Sequence, residues 1–193
     1  MPSKIHIATS RGIGEFCIDW AKSNGYIISS MDDCDIFISI LYDKLISEDY
    51  IKTRPCFNFH PGILPNYRGA GAFSWAILNQ EIETGITLHK IDKDIDNGEV
   101  IDIQRFFITS EDTAESLFDN ACSLLFKMFK EWLPKLITGD YKSFAQDNGR
   151  LYSRDALREA KNLTRFARAF HFEGKEQAYY FNKAGRKIYL KYD

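Results

Sequence analysis

The stretch Phe57-Asn58-Phe59-His60-Pro61-Gly62 sets an amide and an imidazole two residues apart among phenylalanines and then stops. On a strand, alternate side chains share a face, so Asn58 and His60 point one way while Phe57 and Phe59 point the other. The phenylalanines anchor the strand, and the polar pair is presented. Pro61 has no N–H to give a ladder, so the strand ends there and the pair lies at the carboxyl edge of its sheet, where open α/β sheets hold their ligands. An amide N–H can donate to an oxygen that gains negative charge, and an imidazole, titrating near neutrality, can donate or take up a proton. Alone, the same N-x-H also describes a strand end whose amide and imidazole are satisfied by backbone groups.

Other chemistry-bearing stretches are weaker. Asp92-Lys93-Asp94-Ile95-Asp96-Asn97-Gly98 begins like a calcium loop, but Asn97 stands where that loop requires Gly and Ile103 where it requires Glu. Gly12-Ile13-Gly14 has two glycines of a dinucleotide fingerprint without the third, and reads as a tight strand-to-helix turn. Cys17, Cys34, Cys56 and Cys122 form no C-x-x-C pair and no zinc-type spacing, so they read as reduced thiols, with neither disulfide nor metal expected. His89 reads as a satisfied structural histidine, and His6 and His171 as structural or surface residues.

The elements around the pair alternate. Lys4–Thr9 is a short β-branched run, then Glu15–Gly25 has helical spacing. Further apolar runs at 26–29, 35–40 and 56–59 read as buried strands, with a brief helix near 47–52 capped by Ser47. A helix is expected at 72–80, and strands at 84–91 and 99–108 flank the polar loop at 92–98. A long amphipathic helix over about 110–138, broad enough in its apolar stripe to cover a sheet, contains Pro134 and stops at Gly139. The spacing predicts an α/β domain over 1–140 and an appendage over 141–193, a helix near 153–170 followed by a β-hairpin turning at 182–185.

At 193 residues, 45% hydrophobic and 15% aromatic, the chain can close a sizeable core. No run approaches the roughly 20 apolar residues of a membrane span, and the first residues lack the apolar run of a secretion signal, so no membrane partner and a cytoplasmic location are expected. The net charge of −2 hides an asymmetry: from Lys142 onward there are 12 Lys and Arg against 6 Asp and Glu. The basic tail can meet phosphates or dock on the acidic body.

Beyond the single N-x-H, a series of pieces follows in order: His60-Pro61…Leu64-Pro65-Asn66-Tyr67-Arg68-Gly69-Ala70, then Trp75-Ala76-Ile77-Leu78-Asn79, Glu83-Thr84-Gly85-Ile86-Thr87, and Asp96-Asn97-Gly98 before a strand. This pattern, over about 36–107, resembles the folate-dependent formyltransferases, closest in motif to the sugar N-formyltransferases and methionyl-tRNA formyltransferase. The resemblance implies a shortened Rossmann-like fold, a mostly parallel sheet flanked by helices. It implies a catalytic trio of Asn58, His60 and Asp96 and 10-formyltetrahydrofolate as co-substrate, with no metal. It places the pterin against Leu41, Tyr42, Asp43, Lys44, Leu45 and Ile46 and against a second loop that includes Asp92 and Ile95. Tyr67, Arg68, Gly69 and Trp75 are the expected contacts to the amine substrate.

The chain departs from that family in the first half, where one βα unit before the N-x-H strand is absent, so a smaller sheet is expected. A larger basic domain would serve a tRNA substrate, and Arg68 after the catalytic strand departs from the purine-synthesis enzyme. The resemblance therefore favours an amino sugar carried on a nucleotide, with no nucleic acid partner, over methionyl-tRNA and then glycinamide ribonucleotide. A folate- or nucleotide-binding module without turnover is the alternative of another class. Tyr179, Phe181, Ile188 and Leu190 are expected to share one apolar face of the tail hairpin; that face needs a partner surface, and a homodimer is expected to supply it.

Overall fold

Ile36–Ile40 is buried at every position, as a strand covered on both faces must be, and it lies near the middle of the sheet. The computed structural model describes residues 2–159, 163–181 and 185–190. A six-stranded sheet runs β2 (Ile27–Ile28), β1 (Lys4–Thr9), β3 (Ile36–Ile40), β4 (Cys56–His60), β6 (Glu83–Lys90) and β7 (Val100–Phe107) in spatial order. β2, β1, β3 and β4 are mutually parallel, whereas β6 runs antiparallel to both β4 and β7. The α/β class and mostly parallel sheet read from the sequence are what the chain adopts.

Helices α1 (Gly12–Ser23) and α4 (Ala114–Thr138) share one core with the sheet. The stripe of α4 is buried through Leu117, Ala121, Leu125, Met128, Phe129, Leu133 and Leu136. Thr113 and Ser116 close its start with a reciprocal capping box, and Gly139, at φ 72°, ends it. Pro134 is carried inside the helix, which continues to Thr138. Phe59 of β4 meets Phe129 of α4 edge-on at 5.9 Å between ring centroids, so the anchoring role expected of the strand's phenylalanines holds. Truncating a fully buried Phe of this kind typically costs about 3–5 kcal/mol. A separate apolar cluster joins Phe37 and Cys56 to Tyr50 and Ile51 of the short helix α2 (Glu48–Ile51), whose Ser47 cap accepts from the Tyr50 N–H as expected.

Past α4 the chain returns over the sheet's carboxyl edge. Phe144 exchanges both backbone hydrogen bonds with Val100, and β8 (Leu151–Tyr152) pairs in parallel with β5 (Arg68–Gly69). A 3₁₀ turn (Asp155–Glu159) and helix α5 (Leu163–Phe170) follow, and α5 packs on α3 (Ala72–Leu78). The part of the expected tail helix at 160–162, and most of the hairpin turn at 182–184, lie outside the described residues.

The hairpin itself forms, from β9 (Tyr179–Phe181) and β10 (Lys187–Tyr189). Its faces differ from a reading that groups Tyr179 and Phe181 with Ile188 and Leu190. Tyr179 pairs with Tyr189 and Phe181 with Lys187, so these four share a face, and Ile188 lies opposite Tyr180 on the other. The register, which residue spacing alone does not fix, decides this. Among the described residues no helix is long and apolar enough to cross a membrane.

Candidate active site

Register brings three polar side chains into one row. Ser39 of β3 pairs with Asn58 of β4, and Asn58 pairs with His89 of β6. All three stand on the face opposite the phenylalanine anchors. His60, two residues on, shares that face and is 2% exposed.

Asp96 reaches this row from the loop between β6 and β7. Its Oδ1 accepts from Asn58 Nδ2 at 3.2 Å, and its Oδ2 accepts from the Gly69 N–H at 2.9 Å and lies 3.3 Å from His60 Nδ1. The Asp96 backbone is left-handed, at φ 48°, which turns the side chain back toward the strand ends. Gly69 is the residue that allows the approach from the other side. Its φ is 88°, and a Cβ there would collide with the Tyr152 carbonyl.

Each imidazole has one nitrogen assigned by a backbone acceptor. His60 Nε2 donates to the Tyr67 carbonyl at 2.6 Å, which leaves Nδ1 as the basic nitrogen facing Asp96. His89 Nδ1 donates to the Lys90 carbonyl at 2.7 Å, so its Nε2 accepts from Asn58 Nδ2 at 3.1 Å. Asn58 therefore spends its two amide hydrogens on His89 and Asp96, which fixes the amide's orientation.

Burial pushes His60 below the ordinary imidazole pKa, with the Asp96 carboxylate opposing that fall. Burial alone would raise the Asp96 carboxyl, yet the facing imidazoles and the Gly69 N–H outweigh it and hold the group below the usual carboxylate range. The site at neutral pH is thus a carboxylate beside a neutral imidazole. A proton arriving at Nδ1 would be held between the two.

Two cavities meet at Asn58, Gly69 and Asp96. The larger, about 680 Å³, is walled by Lys44, Leu45 and Ile46 on one side and by Asp92 and Ile95 on the other, with Trp75 at its wall. The smaller, about 470 Å³, includes Leu41 and His60 and carries three cations, Arg11, Arg154 and Lys175. Tyr42, Asp43 and Arg154 border both, and Lys44, Lys93 and Arg150 also line the larger. Ser10 donates to Asp43 at 2.6 Å and so ties this loop to the turn after β1.

Tyr67 and Arg68 line neither cavity. The Tyr67 ring stacks on Tyr152 at 5.3 Å and its hydroxyl donates to Glu81, so the residue meets the site only through its carbonyl. Arg68 Nε donates to the Ile95 carbonyl at 2.9 Å and so braces the loop that carries Asp96.

Sequence reasoning placed His89 among structural histidines. The structure puts it against Asn58, with Asp96 3.5 Å from its Nε2. The signal was available in the alternation of β6, where His89 faces the same way as Thr87, but the partner across the strand was not. Arg11, Arg154 and Lys175 were also missed, since three residues so far apart in the chain converge only through the fold. Among the described residues no grouping of three or more His, Cys, Asp or Glu side chains is arranged to hold a metal ion.

Comparison with known proteins bears on the whole arrangement. The chain is 34% identical over 148 residues to a methionyl-tRNA formyltransferase from Kosmotoga olearia, an alignment covering 75% of this chain and 48% of that one. The chain thus spans about half the length of that curated relative. A sugar N-formyltransferase from a Shewanella species superposes with a TM-score of 0.81 at 16% identity, over 98% of this chain and 96% of its own. WlaRD, a sugar 3N-formyltransferase solved in the presence of dTDP and 5-N-formyl-THF, gives a TM-score of 0.77 at 26% identity, over 92% and 82% of the two chains. The formyl transferase family matches residues 28–130, a span that holds Asn58, His60, His89 and Asp96, and the chain belongs to that family.

Proposed function

We propose that the protein transfers a formyl group from 10-formyltetrahydrofolate to the amine of an amino sugar carried on a nucleotide. The observation that carries this reading is the junction of two cavities at Asn58 and Asp96, the larger with apolar walls at Leu45, Ile46 and Ile95, and the smaller bearing Arg11, Lys175 and the Arg154 that lines both. A flat, largely apolar pterin suits the first, with Leu45, Ile46 and Ile95 as walls and backbone groups of the two loops as partners. Phosphates suit the second, where Arg11, Arg154 and Lys175 stand. The formyl carbon and the attacking amine would then meet at the junction. WlaRD, crystallised with a nucleotide and a folate, supports this pairing by analogy.

In this reading the amine attacks the formyl carbon and the formyl oxygen takes the negative charge. Asn58 donates to that oxygen. His60 Nδ1 accepts the proton lost by the amine, directly or through water, and Asp96 stabilises the imidazolium that results. Tetrahydrofolate leaves when the C–N bond to N10 breaks and that nitrogen is reprotonated. In the same reading residues 1–140 are the catalytic domain that holds this trio, and residues 141–193 are its appendage. The four cysteines are free thiols, which supports a cytoplasmic setting.

The test is a panel of amines with 10-formyltetrahydrofolate: nucleotide-linked amino sugars, methionyl-tRNA and glycinamide ribonucleotide. Release of tetrahydrofolate with an amino sugar alone is the expected result. Release with methionyl-tRNA alone would transfer the reading to the substrate of the Kosmotoga relative. Tight folate binding without turnover of any amine would make the protein a binding module.

We also propose that the tail hairpin helps to form a homodimer. Phe181 is 64% exposed and Tyr189 54%, and a two-stranded hairpin is marginal without a surface to pack on. Truncation before Gln177 is expected to give a monomer, or an aggregating chain, in sedimentation velocity at micromolar concentration. A truncated chain that stays a well-behaved dimer would rule this out.

A further inference from the structure

Residues 144–153, between α4 and the 3₁₀ turn, cross both loops that carry the site. At one end Phe144 is bonded to Val100, just past the Asp96 loop. At the other, Arg68 and Ala70 donate their N–H groups to the carbonyls of Arg150 and Tyr152, and Trp75 Nε1 donates to the Ser153 carbonyl. Gly149 passes so close to Pro65 that a Cβ would collide with the Pro65 carbonyl.

Between these attachments, Gln146 Nε2 donates to two carbonyls, Gly98 O at 2.6 Å and Asp96 O at 3.2 Å. Its Oε1 is buried and has no hydrogen-bond partner. Turning the amide over would satisfy nothing, because it would set an acceptor against two acceptors. The side chain thus tolerates an unmet oxygen in order to give both donors to the ends of one tight turn, the turn whose first residue is Asp96 at φ 48°.

We propose that Gln146 is a positioning residue that sets the Asp96 carboxylate against His60 and Asn58, an inference that rests on the reading of Asp96 as a catalytic group. The carboxylate is held from both ends by the same segment. Gln146 fixes the backbone from which it springs, and β8 holds β5, whose Gly69 N–H fixes Oδ2. A shift of about 1 Å at such a group is enough to cost on the order of 100-fold in rate.

Gln146→Met keeps the length and removes both donors. It is expected to lower kcat about 10- to 100-fold with KM for the amine changed by no more than about twofold. A second readout does not depend on turnover, namely the titration of the His60 ring followed by NMR. Burial and His89 lower His60, and the Asp96 carboxylate and the Tyr67 carbonyl raise it, so a displaced carboxylate lets the His60 midpoint fall.

An unmoved His60 midpoint in Gln146→Met overturns the positioning role whatever the rate does. A lowered midpoint with wild-type kcat supports positioning and overturns the reading of Asp96 as catalytic, so the two failures are distinguishable. Gln146→Ala repeats both measurements should the methionine variant fail to fold, and the same shift there supports the proposal.

Discussion

Asp96→Asn is expected to lower turnover about 100-fold or more while the protein remains folded, and His60→Ala to do the same. The two changes act on one proton. His60 Nε2 is committed to the Tyr67 carbonyl, so the only nitrogen that can receive a proton is Nδ1, 3.3 Å from Asp96 Oδ2. Asparagine at 96 keeps the shape and can still accept one hydrogen bond, but it has no charge with which to stabilise an imidazolium.

The pH dependence has a definite sign. Burial places the folded pKa of His60 below the ordinary value of about 6.5, so the imidazole is neutral and competent above that value. Activity is retained somewhat below pH 6.5 and is lost as the pH falls through the depressed pKa. In Asp96→Asn the carboxylate that opposes the depression is gone, so the acid limb of the residual activity, and the His60 ring titration, are expected to move to still lower pH. Folding follows the same direction, because a group whose protonated form is disfavoured by the fold destabilises it only in acid. Pre-steady-state and steady-state rates across about pH 4–9, with circular dichroism as the control for folding, would measure this. An acid limb that moves upward in Asp96→Asn, or a near-normal rate in either variant, removes that residue from the proposed mechanism.

Local chemistry was legible in the sequence wherever a single element decided it. The alternation Phe57, Asn58, Phe59, His60 gave the two faces of β4, and Pro61 gave its end, because strand period and the missing N–H are properties of those residues alone. The stripe and stops of α4 were legible for the same reason. Asp96 was reached only through a family resemblance, since a left-handed Asp in a polar loop has no signature of its own. What register decides was out of reach. His89 lies 31 residues from Asn58 and faces it only because β6 runs antiparallel to β4 with that alignment. The hairpin faces were misassigned on the same ground, as an even or odd count of turn residues exchanges them. Gln146 acts through a backbone turn 50 residues earlier, and no spacing rule reports such a contact.

Replacing Asn58 by Asp is expected to be as damaging as losing His60, and for two separable reasons. Asn58 Nδ2 donates to Asp96 Oδ1 at 3.2 Å and to His89 Nε2 at 3.1 Å. In the substituted protein a carboxylate faces the Asp96 carboxylate across that same gap, and two such groups in a buried site cannot both stay ionised, so the pair titrates with one raised pKa. The site also loses its amide donor. When the formyl oxygen becomes negative, the Asn58 N–H that faces His89 Nε2 is the less costly one to redirect, because the other is held by the Asp96 carboxylate. Aspartate has no hydrogen to redirect and, when ionised, repels the oxyanion. Loss of about 100-fold or more in kcat is therefore expected, with a lowered thermal midpoint above pH 6 that recovers in mild acid as the new carboxyl is protonated. Asn58→Ala separates the reasons, since it removes the donor without adding a charge: it should lose comparable activity but show no such recovery. An Asn58→Asp variant that turns over within a few-fold of the parent chain would show that the amide does not serve the oxyanion.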